Sequence, residues 1–353
     1  MTKRNPAPAK TLQRHSPFTP SRTGNHTQSP EAMTEATTAP SLFQKNPGGR
    51  PQAGGGRAPD TPTRKAQDMT QFTTPDGIAI AHETTGNGPP ILLLHGFPQT
   101  RAMWHAIAPV LARDFTVITA DLRGYGDSTK PTRMQDMSFR AMAADQVALM
   151  RHLGFEQFHL VGHDRGARTA HRLALDHGPA LHSLTLMDIV PTHLLLDDLS
   201  QEVARAYYHW FFLAQPAPFP ETLIGYDPDA YFENCLAGWG GGMDGFADPA
   251  LQAYRQAWRD PDCIRCMCND YRAAIDVDFA LDARDLGRQV DVPALVLYGA
   301  DGVMGRAYDV PATWANRLSD MQASALPGGH FFPDTHPKET AAALHRFLTS
   351  MST

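Results

Sequence analysis

The 353-residue sequence has few cysteines, no long apolar run and little excess charge of either sign. Its four cysteines lie close together late in the chain, whereas a disulfide framework would be spread along it, so we expect free thiols and a reducing, cytoplasmic compartment. No stretch approaches the ~18 uninterrupted apolar residues of a membrane-spanning helix. The formal net charge of −6 argues against nucleic acid or a membrane surface as a partner.

Three of the cysteines have the spacing Cys263-x-x-Cys266-x-Cys268, which could suggest a metal site. A structural zinc site takes its further ligands from a paired second cluster or from histidines at a suitable spacing. The sequence has neither next to these cysteines, so we expect no metal and no other cofactor.

Residues 1–68 differ in composition from the rest of the chain. They are rich in Pro, Gly, Thr, Ser and Gln and have no apolar periodicity, which predicts a disordered extension. Basic residues outnumber acidic ones there, as in a transit peptide, but the apolar core of a signal peptide is missing. We assign the extension no role and regard Met69 as a plausible natural start.

From residue 71 onward, strand and helix patterns alternate. This alternation predicts a mostly parallel sheet wrapped by helices. Helices are expected at residues 103–112, 142–153, 167–175 and 340–348, and strands at 71–74, 78–84, 91–98, 115–120, 158–161, 184–187, 294–298 and 323–326.

The alternation breaks between residues 190 and 285, where the pattern is mostly helical and rich in aromatic residues. We therefore predict a first core segment at 69–189, a helical cap at 190–285 and a second core segment at 286–353. Caps of this kind close over a site at the carboxyl ends of the core strands.

An aspartate lies between two glycines in the segment Gly162-His163-Asp164-Arg165-Gly166. The preceding apolar run and the following helical pattern predict a nucleophile elbow, where strand and helix approach too closely for a Cβ at either glycine. A lipase or esterase has serine at the centre. A carboxylate there attacks a saturated carbon and forms an alkyl ester, which water must then cleave. The elbow therefore predicts that Asp164 displaces a leaving group from carbon.

Several further motifs are similar to those of the α/β-hydrolase superfamily. The general ones are His95-Gly96-Phe97-Pro98, the segment from Asp121 to Ser128, the elbow, and Gly329-His330. Narrower ones resemble the haloacetate (fluoroacetate) dehalogenases more than the haloalkane dehalogenases or epoxide hydrolases. In those two groups tryptophan usually follows the nucleophile, whereas Arg165 does here. These narrower motifs are Asp164 to Arg168, Leu186 to Thr192, Tyr208-His209-Trp210, and Asn269 to Ala273.

The resemblance implies an α/β-hydrolase fold, with a mostly parallel central sheet flanked by helices and an inserted helical cap. It also implies a homodimer that needs no cofactor and acts on a small 2-haloacid. The expected reaction converts fluoroacetate or chloroacetate to glycolate and halide through an aspartyl ester.

The resemblance and the chain order imply that His330 is the base that activates water against the ester. Such a base needs a carboxylate that fixes its tautomer, and two candidates follow core strands. Asp188 matches the position of the acid in haloacetate dehalogenases, whereas Asp301 stands where many other α/β-hydrolases have it. We favour Asp188 and keep Asp301 as the alternative.

Arg165 and Arg168 begin the helix after the elbow, at a spacing that lets both face one side. Guanidinium groups bind carboxylates in bidentate fashion, so the pair fits a substrate that carries one, although a salt-bridged helix face is the plainer alternative. The oxyanion formed when water attacks the ester should be bound by the backbone N–H groups of Phe97 and Arg165. Pro98 has no N–H to donate.

Departure of fluoride demands several strong hydrogen bonds in a dry pocket, because the ion is small and strongly hydrated. His209, Trp210 and Tyr271 each carry an N–H or O–H on a rigid ring, and their motif context resembles the halide site of the family. The plainer alternative is that these aromatic rings are cap core.

Two other functions remain open at this stage. An epoxide hydrolase would share the Asp nucleophile, with Tyr271 protonating the opening ring, but Arg165 is unsuited to a neutral substrate. A non-catalytic α/β-hydrolase receptor would bind a small acid without turnover, although the nucleophile, base and acid candidates are all retained.

Overall fold

The computed structural model describes residues 70–351 of the protein. The predicted extension at residues 1–68 therefore lies outside the described residues. The described residues belong to one compact unit. No helix in the described part of the chain is long and apolar enough to cross a membrane.

Within residues 70–351, eight strands form one sheet, and each lies within a few residues of its predicted position. The strands are β1 (Thr70–Thr73), β2 (Ala79–Thr85), β3 (Pro90–Leu94), β4 (Thr116–Ala120), β5 (Phe158–His163), β6 (Leu181–Met187), β7 (Ala294–Gly299) and β8 (Met321–Leu326). Their order across the sheet is β1-β2-β4-β3-β5-β6-β7-β8. β2 pairs antiparallel with both β1 and β4, and the strands from β4 to β8 run parallel.

The central strands are buried on both faces, which explains their uninterrupted apolar sequences. Every residue of β5 is buried, as are Ile91–Leu94 of β3. β8 lies at the edge and is mostly exposed. Because β4 to β8 run parallel, their carboxyl ends meet at one side of the sheet, and the loops that leave this side carry the candidate site.

The helices of residues 70–351 cover this sheet and fill the segment between β6 and β7. They are α1 (Ala108–Leu111), α2 (Phe139–His152), α3 (Arg165–His177), α4 (Thr192–Asp197), α5 (Gln201–Ala206), α6 (His209–Leu213), α7 (Phe219–Tyr226), α8 (Pro228–Gly240), α9 (Asp248–Trp258), α10 (Pro261–Ala273), α11 (Phe279–Arg284), α12 (Val303–Ala307), α13 (Val310–Trp314), α14 (Phe332–Thr335) and α15 (Pro337–Ser350). Four single-turn segments, three of 3₁₀ type and one of π type, are Arg101–Ala106, Met134–Met137, Gly178–Ala180 and Ala274–Asp278.

The prediction of one continuous helix at residues 103–112 was wrong. The structure has a 3₁₀ helix at Arg101–Ala106 and then the short α1. Pro109 lies in the first turn of α1 and has no N–H to bind a carbonyl of the preceding turn, so the α-helical ladder cannot run through it.

The helical insertion, by which we mean residues 192–284, comprises α4 to α11 and the π-type segment. The chain enters the insertion after β6 and returns to the sheet at β7, and these two strands pair directly. Three hydrogen-bonded contacts tie it to the core near the strand ends: Asp270 with Arg165, Tyr254 with Asp334, and the carbonyl of Trp239 with the N–H of His330.

The four cysteines are free and buried, and Cys263, Cys266 and Cys268 lie in α10. Burial raises the pKa of Cys235 to about 12. Among residues 70–351, no group of three or more His, Cys, Asp or Glu side chains could hold a metal ion.

Candidate active site

Asp164 occupies the turn between β5 and α3. Its φ of 47° lies in the left-handed region, and in the described residues the only other non-glycine residue with positive φ is Asp188, at 52°. A Cβ on Gly162 would collide with the carbonyl of Gly166, and a Cβ on Gly166 with the carbonyls of the β3 end. Strained aspartates held by such close packing are a feature of functional sites.

His330 lies between two carboxylates. Its Nδ1–H donates to Oδ2 of Asp188 over 2.6 Å, and its Nε2 lies 3.8 Å from Oδ2 of Asp164. Asp188 follows β6, and its Oδ1 accepts a hydrogen bond of 2.8 Å from the N–H of Gly299 at the end of β7. In a catalytic triad, an acid binds one ring nitrogen of the histidine, and the other ring nitrogen faces the nucleophile. Asp188, His330 and Asp164 have this arrangement.

The alternative acid does not contact the base. Asp301 is exposed, and its carboxylate accepts a hydrogen bond of 3.2 Å from the backbone N–H of Gly328. Between the two candidates that the sequence left open, the structure thus brings Asp188 to His330.

Asp164 and His330 shift one another's pKa. Burial by itself would keep Asp164 neutral, but the positive charges of His330 and Arg165 and the N–H of Phe97 lower its pKa to about 2. Burial would also lower the pKa of His330, but the hydrogen bond and charge of Asp188, with the charge of Asp164, raise that pKa above its ordinary value. The nucleophile is therefore ionised at neutral pH.

The backbone N–H of Phe97 donates to Oδ1 of Asp164 over 2.9 Å. Oδ2 is the oxygen that lies nearer His330. Arg165 is the first residue of α3, where a backbone N–H has no intrahelical acceptor. Of the two predicted oxyanion donors, Phe97 therefore lies in the loop after β3 and contacts Asp164, and Arg165 follows Asp164 directly at the start of α3.

Arg165 is fully buried and already has a carboxylate partner. Its Nε donates over 2.9 Å to Asp270 Oδ2, and its Nη2 also binds Asp270. Its Nη1 has no hydrogen-bond partner among residues 70–351, and its Cζ lies 4.2 Å from the ring centroid of Tyr271. Arg165 therefore offers a substrate one edge of its guanidinium and not the whole group.

Arg168 is equally buried but has no carboxylate partner in the described part of the chain. Its Nη1 donates to the carbonyl of Val190 at 3.1 Å and to the hydroxyl of Thr192 at 3.0 Å. Burial outweighs the attraction of Asp164 and lowers the pKa of Arg168 to about 10. A buried cation without a paired anion favours an anionic ligand.

His209, Trp210 and Tyr271 form one cluster of rings. The ring of Tyr271 lies 5.3 Å from that of His209 and 5.2 Å from that of Trp210, edge to face in both pairs. Burial lowers the pKa of His209 well below its ordinary value, so the ring is neutral and carries one N–H. Trp210 also lies 4.9 Å from the guanidinium carbons of both Arg165 and Arg168, which places the cluster against the two arginines.

Three residues beside the site were not singled out from the sequence. Asp270 lies inside the motif from Asn269 to Ala273. Its partner Arg165 is 105 residues away, so no short motif indicates that the two side chains pair. The indole of Trp239 lies 4.1 Å from the ring of His209, and its carbonyl accepts from the His330 N–H at 2.8 Å. The third residue, Asp334, follows the base by four positions and is buried.

A cavity of about 680 Å³ is lined by residues of α5, α8 and α12 and lies near the rings of His209, Trp210 and Tyr271. Trp239 belongs both to its wall and to the aromatic surroundings of His209 and His330. Arg205 and Arg306 contribute positive charge to the same wall.

The chain is similar to known proteins over most of its described length. The sequence profile of the family described as "alpha/beta hydrolase fold" matches residues 89–337. A fluoroacetate dehalogenase from Burkholderia sp is 55% identical over 268 residues, which cover 75% of this chain and 88% of that protein.

Two further relatives place this similarity in context. A soluble epoxide hydrolase from Corynebacterium sp. (strain C12) is 29% identical over 270 residues, covering 74% of this chain and 91% of its own. The structure of a putative alpha/beta hydrolase from Nostoc sp is 49% identical, with a TM-score of 0.78, and covers 80% of this chain and 98% of its own.

Proposed function

The chain belongs to the haloacetate (fluoroacetate) dehalogenase family of the α/β-hydrolase superfamily, and on that premise we propose that it hydrolyses haloacetates to glycolate and halide. It is thus a hydrolase of carbon–halide bonds with an α/β-hydrolase fold, as its motifs predicted. The finer assignments of triad, substrate anchors, halide site and cap are part of this proposal.

One observation supports the substrate class above the others. Arg168 is a buried guanidinium without a carboxylate partner among residues 70–351, and it lies one helical turn from the nucleophile. A substrate carboxylate would compensate this charge, and the unpartnered Nη1 of Arg165 adds a second donor. A neutral epoxide or haloalkane would leave the charge of Arg168 uncompensated.

In the first step, Oδ2 of Asp164 attacks the carbon that bears the halogen. The new C–O bond forms as the carbon–halogen bond breaks, and the halide leaves with the bonding electron pair. His209, Trp210 and Tyr271 donate hydrogen bonds to the departing halide, and Arg165 and Arg168 hold the carboxylate so that the carbon faces Asp164. Orientation of this kind supplies much of the rate enhancement of a displacement.

In the second step, His330 takes a proton from water, and the resulting hydroxide attacks the ester carbonyl carbon of Asp164. The N–H groups of Phe97 and Arg165 bind the oxyanion, which Oδ1 becomes. Collapse expels glycolate, which takes the proton from His330, and leaves Asp164 as a carboxylic acid that still carries the second proton of the water. Release of this proton, through His330 to the solvent, restores the Asp164 carboxylate. Asp188 orients the imidazole and stabilises its protonated form.

The first experiment measures halide release from fluoroacetate and chloroacetate by the parent and by Asp164→Ala. We expect release of both halides by the parent and none by the variant. Chloride release alone would remove the fluoride assignment from His209, Trp210 and Tyr271. No release of either halide, together with diol formation from styrene oxide, would replace the proposal with an epoxide hydrolase.

The two-step scheme has its own test in His330→Ala. Without the base, the ester should accumulate after a single halide release, and intact-protein mass spectrometry should find the chain heavier by one carboxymethyl group. An unmodified chain after halide release would contradict the ester intermediate.

We also propose a homodimer in a reducing, cytoplasmic compartment. Free, buried cysteines support the compartment. Phe219, Leu223 and Tyr226 are large, exposed hydrophobic residues on one side of α7, and they support a self-association surface. Light scattering should find twice the chain mass for the parent, and the chain mass alone for Leu223→Glu; a monomeric parent would contradict the dimer.

A further inference from the structure

A second and much smaller cavity lies beside Arg168. It runs along the face of α3 that carries Arg168, His171 and Arg172, since residues three and four positions apart share one side of a helix. Asp278 and Asp282 of the helical insertion line it as well. Its volume is about 10 Å³.

Three nitrogen atoms of these residues have no hydrogen-bond partner among residues 70–351. They are Nε of Arg168, Nε2 of His171 and Nε of Arg172, and the three residues are only 4–5% exposed. Buried polar groups in native structures almost always have a partner. Three unpartnered nitrogens around a single cavity point to a common ligand.

The polar atoms around the cavity define the chemistry of that ligand. The Nε–H groups of Arg168 and Arg172 can only donate, so the ligand must accept, which disfavours a metal cation. The carboxylates of Asp278 and Asp282 can accept, which disfavours an anion. The volume is at the lower limit for one water, roughly 10–15 Å³ by this measure, and leaves no space for a larger molecule.

We propose that this cavity is a binding site for one water molecule, which accepts from Nε–H of Arg168 and Arg172 and donates to Nε2 of His171 and to Asp278. Burial lowers the pKa of His171 to about 4, so the ring is neutral at pH 7 and one of its nitrogens can accept. Within residues 70–351, Asp278 accepts hydrogen bonds from the N–H of Phe139 alone, at 3.1 and 3.2 Å, which leaves lone pairs for a further donor. The water thus makes four hydrogen bonds.

The water has a consequence for the substrate site, and this part rests on the proposed function. Nη1 of Arg168 is already held by Val190 and Thr192. A second bond at Nε fixes the plane of the guanidinium, because two separate atoms of one rigid group are then held. The remaining nitrogen, Nη2, faces the substrate carboxylate in one orientation. The water, His171 and Asp278 are therefore positioning groups for Arg168.

A crystal structure of the full chain, at a resolution that defines ordered solvent, tests the binding site itself. We expect a single well-ordered density peak within hydrogen-bond distance of all three nitrogens. A cavity without density, or a rotated Arg168 whose Nε binds Asp278 directly, would overturn the proposal. This result does not depend on activity, so it stands apart from failure of the proposed function.

A pair of variants tests the positioning role. His171→Leu removes one partner of the water, whereas His171→Gln keeps an amide at similar reach. We expect His171→Leu to raise KM for chloroacetate about tenfold with kcat within about twofold, since the water loses one of its partners and holds Arg168 less firmly, and His171→Gln to restore KM. A purely structural histidine, which also packs edge-on against Trp314, would lower Tm in His171→Leu and leave KM unchanged. That outcome would overturn the positioning role.

Discussion

The imidazole of His330 lies between two carboxylates, and the proposed mechanism removes the charge of one of them. Asp188 is hydrogen-bonded to Nδ1 over 2.6 Å. In the proposed mechanism Asp164 becomes a neutral ester after the first step, so one of the charges that raise the pKa of His330 disappears. The imidazole therefore gives up a proton more readily in the ester than in the free enzyme, which is when a base is needed.

The two half-reactions should depend differently on pH. Ester formation needs ionised Asp164, whose pKa of about 2 keeps that step constant above roughly pH 4. Ester hydrolysis needs neutral His330 and should fall as the pH drops, with an apparent pKa below that of His330 in the free enzyme. Rapid-quench halide release and glycolate formation measure the two steps, and NMR titration measures free His330. One shared acid limb would contradict this separation.

Arg168 should distinguish substrates by their charge. We expect Arg168→Gln to reduce kcat/KM for chloroacetate on the order of a hundredfold, because an ion pair in a dry site is lost. Turnover of chloroacetamide, which lacks the carboxylate, should change little. The ratio of the two rates is the measurement, and an equal loss on both substrates would mean that Arg168 is structural.

At the scale of single residues, the sequence predicts a role where the neighbouring residues in the chain determine the backbone conformation. Asp164 follows from the flanking glycines, whose side chains the strand and helix exclude. Asp188 and Asp301 both follow core strands, and only the three-dimensional arrangement separates the one that contacts His330 from the one that contacts Gly328. The pairing of Arg165 with Asp270 depends on how the insertion packs, which no short motif encodes.

Three elements of the site meet at the buried carboxyl of Asp334 in α14. It accepts hydrogen bonds from Gln99, two residues after Phe97, and from the hydroxyl of Tyr254 in α9 at 3.0 Å. Burial outweighs these bonds and raises the pKa of Asp334 to about 7. This carboxyl therefore links the loop of Phe97, the segment after His330 and the helical insertion through one group that titrates near neutrality.

Asp334→Asn should stabilise the protein, and more so at higher pH. A carboxyl with a raised folded-state pKa contributes its full stability below its unfolded pKa of ~3.9, and loses it as the pH rises to about 7. Asparagine can bind both partners without ionising. Its advantage in Tm should thus grow between about pH 4 and pH 7 and stay constant above. Thermal unfolding at pH 5 and pH 8 measures it, and equal shifts at both would exclude this titration.

Asp334→Leu is the matched control. It removes the titrating group as well, but it leaves the buried amide of Gln99 and hydroxyl of Tyr254 unpaired, which costs ~1–3 kcal/mol for each. We expect a lower Tm than the parent at every pH. A rise in Tm equal to that of the asparagine variant would mean that the hydrogen bonds contribute nothing.

The strands were predictable because burial on both faces favours a run of apolar residues, as in Ile91–Leu94 of β3. The boundaries of the helices were less predictable. The helical pattern after the elbow predicted bounds of 167–175, whereas α3 runs from Arg165 to His177, because its first residues also form the turn and carry little helical pattern. The expectation that Arg165 begins this helix is confirmed. Inside the insertion, Trp239 lies beside a glycine run with no periodicity, so its position against His209 could not be inferred.

The insertion and the core should unfold together, because the described residues belong to one compact unit and ion pairs such as Arg165 with Asp270 join the two parts. We expect activity and tryptophan fluorescence to be lost at the same urea concentration. The double variant Trp104→Phe, Trp314→Phe keeps only tryptophans of the insertion as reporters and should follow the same curve. Loss of activity well before fluorescence changes would mean that the insertion opens first. The tryptophans concerned are Trp104, Trp210, Trp239, Trp258 and Trp314.

The order of the strands also matters while the chain is being made. Asp164 and Asp188 leave the ribosome early, but His330 follows the edge strand β8 and is separated from Asp188 by 142 residues, most of them in the insertion. Because the core and the insertion are expected to fold as one cooperative unit, a nascent chain gains its base and its complete sheet only after β8 and the following residues have been made. Translation that stops before this point would release a chain without His330, so the proposed hydrolysis step would have no base in that fragment.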